Sequence, residues 1–154
     1  MTAATPRTAC AIERTILAWM EAMMPEVLTV TVSIPSRTLS PNARCHWAVK
    51  AKANKKARIE AWAQAQIAMH EAEEKGGWRE ATCQAHVYVR DNRRRDKDNA
   101  LASLKATFDG LVDAGLLHDD SALTHLPLVF IVDPKNPRVE LNLKRWDRGN
   151  TDGA

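Results

Sequence analysis

The stretch Arg93-Arg94-Arg95-Asp96-Lys97-Asp98-Asn99, followed by Lys105, Asp109, Gly115 and the pair Asp119-Asp120, sets mutually repelling carboxylates beside a run of bases. A fold gains little from that combination, whereas a hard divalent cation facing an anionic substrate accounts for both halves of it. Asp96 and Asp98 are two apart, so on an extended segment or in the first turn of a helix their side chains leave the same side of the backbone. Two or three converging carboxylates are the oxygen ligands that magnesium or manganese prefers, with the other positions left to water and substrate phosphate. Without a cation, like-charge repulsion would raise the pKa of at least one member.

These residues need a scaffold, and the spacing supplies one. Leu101, Leu104, Phe108, Leu111 and Val112 recur at helical intervals, and Gly115 stands where a left-handed cap would end the helix. The pattern predicts one helix over 99–114. Lys105 and Asp109 follow Asp98 at intervals that return them to within about 20° of its face. A lysine beside a phosphate at that place would steady developing charge or orient the attacking water, which is electrostatic rather than nucleophilic catalysis.

Taken together, these residues resemble the RusA-type Holliday-junction resolvases, phage-related endonucleases that cut four-way DNA junctions. The family pattern is a basic run, Asp-x-Asp-Asn, a helix carrying Lys and then Asp-x-Leu, a Gly turn and Asp-Asp. It is matched by Arg93 to Asn99, Lys105, Asp109-Gly110-Leu111, Gly115 and Asp119-Asp120. The resemblance implies a crossover junction endodeoxyribonuclease that acts in DNA recombination and repair as a homodimer and hydrolyses phosphodiester bonds with metal-activated water. Its cofactor would be Mg2+, with Mn2+ as a substitute. By the same resemblance Asp96, Asp98 and Asp120 are the catalytic carboxylates and metal ligands, Asp119 is a further candidate ligand, and Lys105 assists. The interval to the lysine is about three residues longer than in the prototype, which keeps it on the same helix face but moves it roughly 4.5 Å along the axis.

Net charge is only +3, so the distribution of charge says more than its sum. Residues 44–59 hold Arg44, Lys50, Lys52, Lys55, Lys56 and Arg58 without an acid, and Arg93, Arg94, Arg95 and Lys97 surround Asp96. Phosphate contacts are expected from Arg93, Arg94, Arg95 and Lys97, and from Lys52, Lys55 and Lys56. For the first cluster, a merely solvated helix face is an equal alternative.

At 154 residues, 45% hydrophobic and 27% charged, the chain can bury a core of its own as one domain. No apolar run reaches the length of a membrane span and the N-terminus lacks a continuous hydrophobic signal core, so the cytoplasm is the expected compartment, which the resemblance would place in a bacterial or phage-infected cell. Cys10, Cys45 and Cys83 lack the spacing of a zinc site or a disulfide framework and read as structurally indifferent thiols. None of the five histidines forms a ligand-spaced pair, although His118 lies next to Asp119.

The coarse reading is α+β, with one mixed four-stranded sheet and two main helices in the order βαβαββ, plus an N-terminal helix. Strands are expected at 29–34, 85–89, 126–132 and 139–143. The long basic helix is expected from Trp47 to Glu74, burying Ile59, Trp62, Ala63, Ile67 and Met69 and stopping at Gly76-Gly77. The domain spans 28–146, with a helical extension at 1–27 and a frayed tail at 147–154. In the extension, Ile12, Ile16, Leu17, Met20 and Met24 form an amphipathic stripe; the equal alternative is that Met23 or Met24, just before Pro25 and the first strand, marks the true start of translation.

Two other functions remain open on sequence: a junction-binding protein that does not cut, and an interaction module built on the N-terminal helix. A continuous helix over 99–114 would be roughly 24 Å long, and the six residues to Asp120 span at most about 20 to 22 Å. That geometry predicts a site shared between subunits, with a partner's Asp120 meeting Asp96 and Asp98.

Overall fold

Alternation of apolar and polar residues builds one mixed sheet in an α+β chain. The computed structural model describes residues 11–23 and 27–146, and within the first helix the side chains of 11–17 only. The tail expected at 147–154, the side chain of Met20 and Met24 lie outside the described residues. Helix α1 covers Ala11–Met23. Strand β1 (Val27–Val32) follows, burying every second residue. A 3-10 turn at Arg37–Leu39 leads into α2 (Trp47–Glu71), and β2 (Ala81–Val89) comes next. Then come α3 (Lys97–Ser103), α4 (Lys105–Asp113), β3 (Leu123–His125), β4 (Val129–Val132) and β5 (Arg138–Arg145).

Among the described residues the sheet has five strands rather than the expected four. β2 is central, antiparallel to β5 and parallel to both β3 and β4, and β5 pairs β1 antiparallel. Ala81 faces Leu123 and His86 faces Val129, so the edge carries one more residue than β2 over this interval. Pro127 sits in that interval. Its missing N–H and the extra residue separate β4, which falls within the strand expected at 126–132, from β3, a short strand at Leu123–His125 that the sequence reading did not include.

Helix α2 differs in which side it buries. Its inward residues are Ala61, Ala65 and Met69, while Ile59, Trp62 and Ile67 stand exposed on the outside. Small side chains win the inward face because α4 crosses α2 almost backbone to backbone. A Cβ built on Gly110 would lie 2.4 Å from the Arg58 carbonyl oxygen and 2.7 Å from the Ala61 Cβ. The same crossing carries a bidentate pair in which Arg58 donates through Nε to Asp113 Oδ2 and through Nη2 to Asp113 Oδ1. Beneath the helices, Val30, Val139, Leu141, Leu143, Leu111 and Leu116 are fully buried in the core.

The helix expected over 99–114 is interrupted. Leu104, at φ −90° and ψ 0°, separates α3 from α4, and it is buried while α3 itself buries none of its residues. The predicted glycine cap holds: Gly115 has φ +80°, with the Gly115 N–H bonding the Val112 carbonyl and the Leu116 N–H the Leu111 carbonyl. Beyond it, Leu116 and Leu117 turn into the core. The Trp78 N–H binds the Leu116 carbonyl at 2.9 Å and the His118 N–H binds the Trp78 carbonyl at 2.9 Å, which returns the chain toward α3 just before Asp119-Asp120.

Candidate active site

The N-terminus of α3, the first turns of α4 and the 3-10 turn Asp120–Ala122 meet around one cleft of about 400 Å³. Asp98 and Lys105 face it, and so do Asp109, Asp120 and His125. One chain therefore brings Asp98 and Asp120 to the same cleft. The tight return after Gly115 lets Asp120 reach that cleft within one chain.

Asp96 is placed differently. It is the N-cap of α3: Oδ1 accepts the Asp98 N–H at 2.9 Å and the Asn99 N–H at 3.3 Å, and Oδ2 accepts Asn99 Nδ2 at 3.2 Å. This carboxylate satisfies two of the helix's orphan donors, a role an aspartate fills well. Asp119 caps the 3-10 turn in the same manner, accepting the Ser121 N–H at 3.5 Å.

The paired acids divide their charge unequally. A hydrogen bond from Asp120 and the backbone N–H of Ser121 hold Asp119 below the usual carboxylate range. Asp120 is pushed up by that same hydrogen bond to Asp119 and by Coulomb repulsion from Asp119, with a further contribution from Asp109. The charge of the pair thus rests first on Asp119, and repulsion from Asp119 and Asp109 converges on Asp120, where a cation would relieve it. The donor set, carboxylate oxygens on separate elements, fits a hard divalent ion such as Mg2+ in type. Among the described residues no three His, Cys, Asp or Glu side chains converge as a ready-made ligand group.

His125 escaped sequence reasoning because it sits at the end of a three-residue strand and gains its neighbours only through pairing with Cys83. Its ring lies on Phe108, centroids 4.6 Å apart, and desolvation lowers its pKa, favouring the neutral imidazole. His118 is exposed and does not line the cleft.

The bases sort by location. A second cleft joins the first along Ala102, Lys105 and Asp109, and its α2 wall carries Lys50, Asn54, Lys55 and Arg58. Lys50, Asn54 and Arg58 recur every four residues, a helical stripe that the even spread of charge over 44–59 hides. Lys52 and Lys56 line the other flank of α2, facing the segment that follows β1. Of the arginine run, Arg95 is tied down: its Nη2 donates to Asp91 Oδ1 at 2.7 Å and its Nη1 to the carbonyls of Asp91 and Arg93. Arg93 touches Asp91 at 3.4 Å but stays 82% exposed, and Arg94 and Lys97 are exposed.

Fold and cleft together define an α+β protein with a mixed sheet, whose helical layer carries carboxylates and lysines on adjoining clefts. No protein-family model matches the chain. It is 31% identical over 137 residues, covering 84% of this chain and 78% of the other, to an uncharacterized protein of Xylella fastidiosa (strain Temecula1), and it belongs to the same family as that protein. No helix among the described residues is long and apolar enough to cross a membrane.

Proposed function

We propose that the protein is a magnesium-dependent structure-specific endonuclease that hydrolyses phosphodiester bonds in branched DNA, four-way junctions above all. The observation that carries this reading is the meeting of Asp98, Asp109 and Asp120 with Lys105 on one cleft, continuous with a second cleft walled by Lys50 and Lys55. Acids alone would repel a nucleic acid, and bases alone would only hold it. Their adjacency suits binding a polyanion and attacking one phosphate of it. A bound divalent ion would supply a water of lowered pKa and neutralise charge on the phosphoryl oxygens. Asp98 and Asp120 would hold it, with Asp96 fixing the first turn from which Asp98 projects. Lys105 would stabilise the charge that builds on the phosphorus oxygens as water adds and the bridging P–O bond breaks.

Two copies on one junction would match its two strands to be cut, and since each chain brings its own cleft, a two-fold dimer would carry two complete sites. The outward Ile59, Trp62 and Ile67 of α2 offer such a dimer apolar surface to bury. The direct test is incubation of a labelled synthetic four-way junction with the protein, with and without magnesium. Symmetrical paired nicks only in magnesium are expected. Binding without nicks in any divalent ion would favour the junction-binding alternative.

The placement of the bases makes a second test quantitative. Removing a phosphate contact lowers the slope of log K against log salt by about 0.9 for each one lost. Lys50→Ala, Lys55→Ala and Arg94→Ala are each expected to flatten the slope by about that amount. Arg95→Ala is expected to act through loosening of the 91–95 loop, weakening affinity with a smaller change in slope. An unchanged slope for Lys50 and Lys55 together would remove the second cleft from the DNA path.

A further inference from the structure

We infer that a pocket on the opposite flank of α3 receives one unstacked nucleobase of the strand being cut, an inference that rests on the nuclease reading above. Its floor is a cross-strand row on the helix-covered face of the sheet, in which Phe130 pairs with Val87 and Val87 with Val139. Its roof is α3, which presents Ala100 and Ser103 there. A helix that seals a sheet plants large aliphatic side chains on it. Leu101 of α3 packs on the core and Leu104 at its end is buried beside the pocket, but Ala100 and Ser103 are too small to fill the space over the sheet, and about 340 Å³ remains there.

The chemistry of the lining selects the occupant. The floor is apolar, the roof pairs Ala100 with Ser103, whose hydroxyl is spent on the Asn99 carbonyl, and Arg37, Ser40, Arg95 and Asn99 contribute polar groups to the same pocket. Arg95 is held in place by Asp91 and by the backbone carbonyls it bonds, so little rotamer freedom is lost when a ligand arrives. Asn99 gives its Nδ2 to Asp96 and keeps its Oδ1 as an acceptor for a ring amino group. A phosphate would waste the apolar floor, and an acyl chain would bury the polar groups unpaired. A nucleobase has two apolar faces and a polar edge, which is how splayed-out bases are recognised elsewhere. The two arginines complement the phosphates that flank such a base.

Position agrees with this assignment. Asp98 lies on the cleft flank of α3 and Asn99, its neighbour in sequence, on the pocket flank. A helix is about 10 Å across with its side chains, so a base one or two nucleotides from the scissile phosphate reaches the pocket around the end of α3. Strand exchange at a junction offers such bases at lower unstacking cost than duplex does.

The test places 2-aminopurine within two nucleotides of the cut position in a four-way junction, and binds the full-length protein without magnesium. Fluorescence is expected to rise as the base leaves the stack. Phe130→Ala is expected to weaken binding roughly 5- to 10-fold, the lower range for loss of one stacked base. Because Phe130 and Ala100 both pack on the core, the second variant, Ala100→Leu, which fills the pocket, is read only after thermal unfolding shows it folded like wild type. It should abolish the fluorescence rise and slow cutting of the intact junction. On a junction abasic at that position it should cut as fast as wild type. A wild type that cuts yet shows no fluorescence change, or an Ala100→Leu protein that retains the rise, overturns the pocket alone. A wild type that neither binds nor cuts overturns the nuclease reading and the pocket with it.

Discussion

Asp98→Asn and Asp120→Asn are each expected to lower the proposed magnesium-dependent cutting of a four-way junction by roughly 10²- to 10³-fold or more, the range for losing one preorganised electrostatic group at a reacting centre. Junction binding stays intact or tightens, because neutralising a carboxylate removes a ligand and also a charge that repels phosphate. The two variants leave the fold alone, since both side chains are exposed on the cleft. Asp96 calls for more care. Its carboxylate caps α3, so Asp96→Ala removes a helix cap as well as an acid, a loss of typically about 1 kcal/mol. Asp96→Asn keeps an acceptor for the N–H groups of Asp98 and Asn99, and a loss of cutting in that variant at unchanged thermal stability reads the charge itself. Lys105→Ala is expected to slow cutting less than either cleft aspartate. Gel-based single-turnover rates measure all of these, and full-rate cutting by Asp98→Asn and Asp120→Asn would sink the site.

The acidic half of this site was legible because helical geometry is periodic. The seven- and eleven-residue intervals from Asp98 place Lys105 and Asp109 on one side, and the break at Leu104 is too slight to move them off the cleft. Asp119-Asp120 could be suspected from composition, but its approach depends on the left-handed turn at Gly115 and on the pairing of Leu116 and His118 with Trp78. Nothing in the spacing of Trp78 announces that contact. His125 was invisible for the same reason, being delivered by a strand whose partner lies far back in the chain.

The basic half was read only in part. Lys55 was singled out and lies on the second cleft, whereas Lys52 and Lys56 lie on the other flank of α2. Deciding among them required knowing which side of α2 faces inward, and hydrophobicity misleads there. Ile59, Trp62 and Ile67 are the greasier residues, yet Ala61 and Ala65 are the buried ones, because a close helix crossing selects for small size over apolar area. The strand count failed at Leu123–His125, a three-residue strand too short to show alternation and set apart from Val129–Val132 by Pro127.

Gly110 is where this close crossing can be tested most sharply, because two effects of opposite sign compete. Within a helix, Gly→Ala ordinarily stabilises by about 1 kcal/mol through backbone entropy. Here the added Cβ would lie 2.4 Å from the Arg58 carbonyl oxygen and 3.2 Å from its carbonyl carbon, and backbone atoms in a helix cannot swing aside as a side-chain end can. α2 must move away from α4, and such overpacking costs typically 1 to 3 kcal/mol, occasionally more. The clash is expected to win. Gly110→Ala should lower stability by about 1 to 2 kcal/mol, a fall in Tm of roughly 2 to 8 °C for a domain of this size. Gly110→Val, with two further methyl groups against the same wall, should lose about 3 kcal/mol or more. The damage should not stay in the core. Lys50, Lys55 and Arg58 ride on α2, while Lys105 and Asp109 ride on α4, so separating the helices changes the spacing between the two walls of the second cleft. Gly110→Ala is therefore expected to weaken junction binding even at temperatures where it is fully folded. Thermal unfolding and a binding isotherm on the same preparation measure both effects, and a Gly110→Ala protein more stable than wild type would mean that α2 and α4 do not meet backbone to backbone.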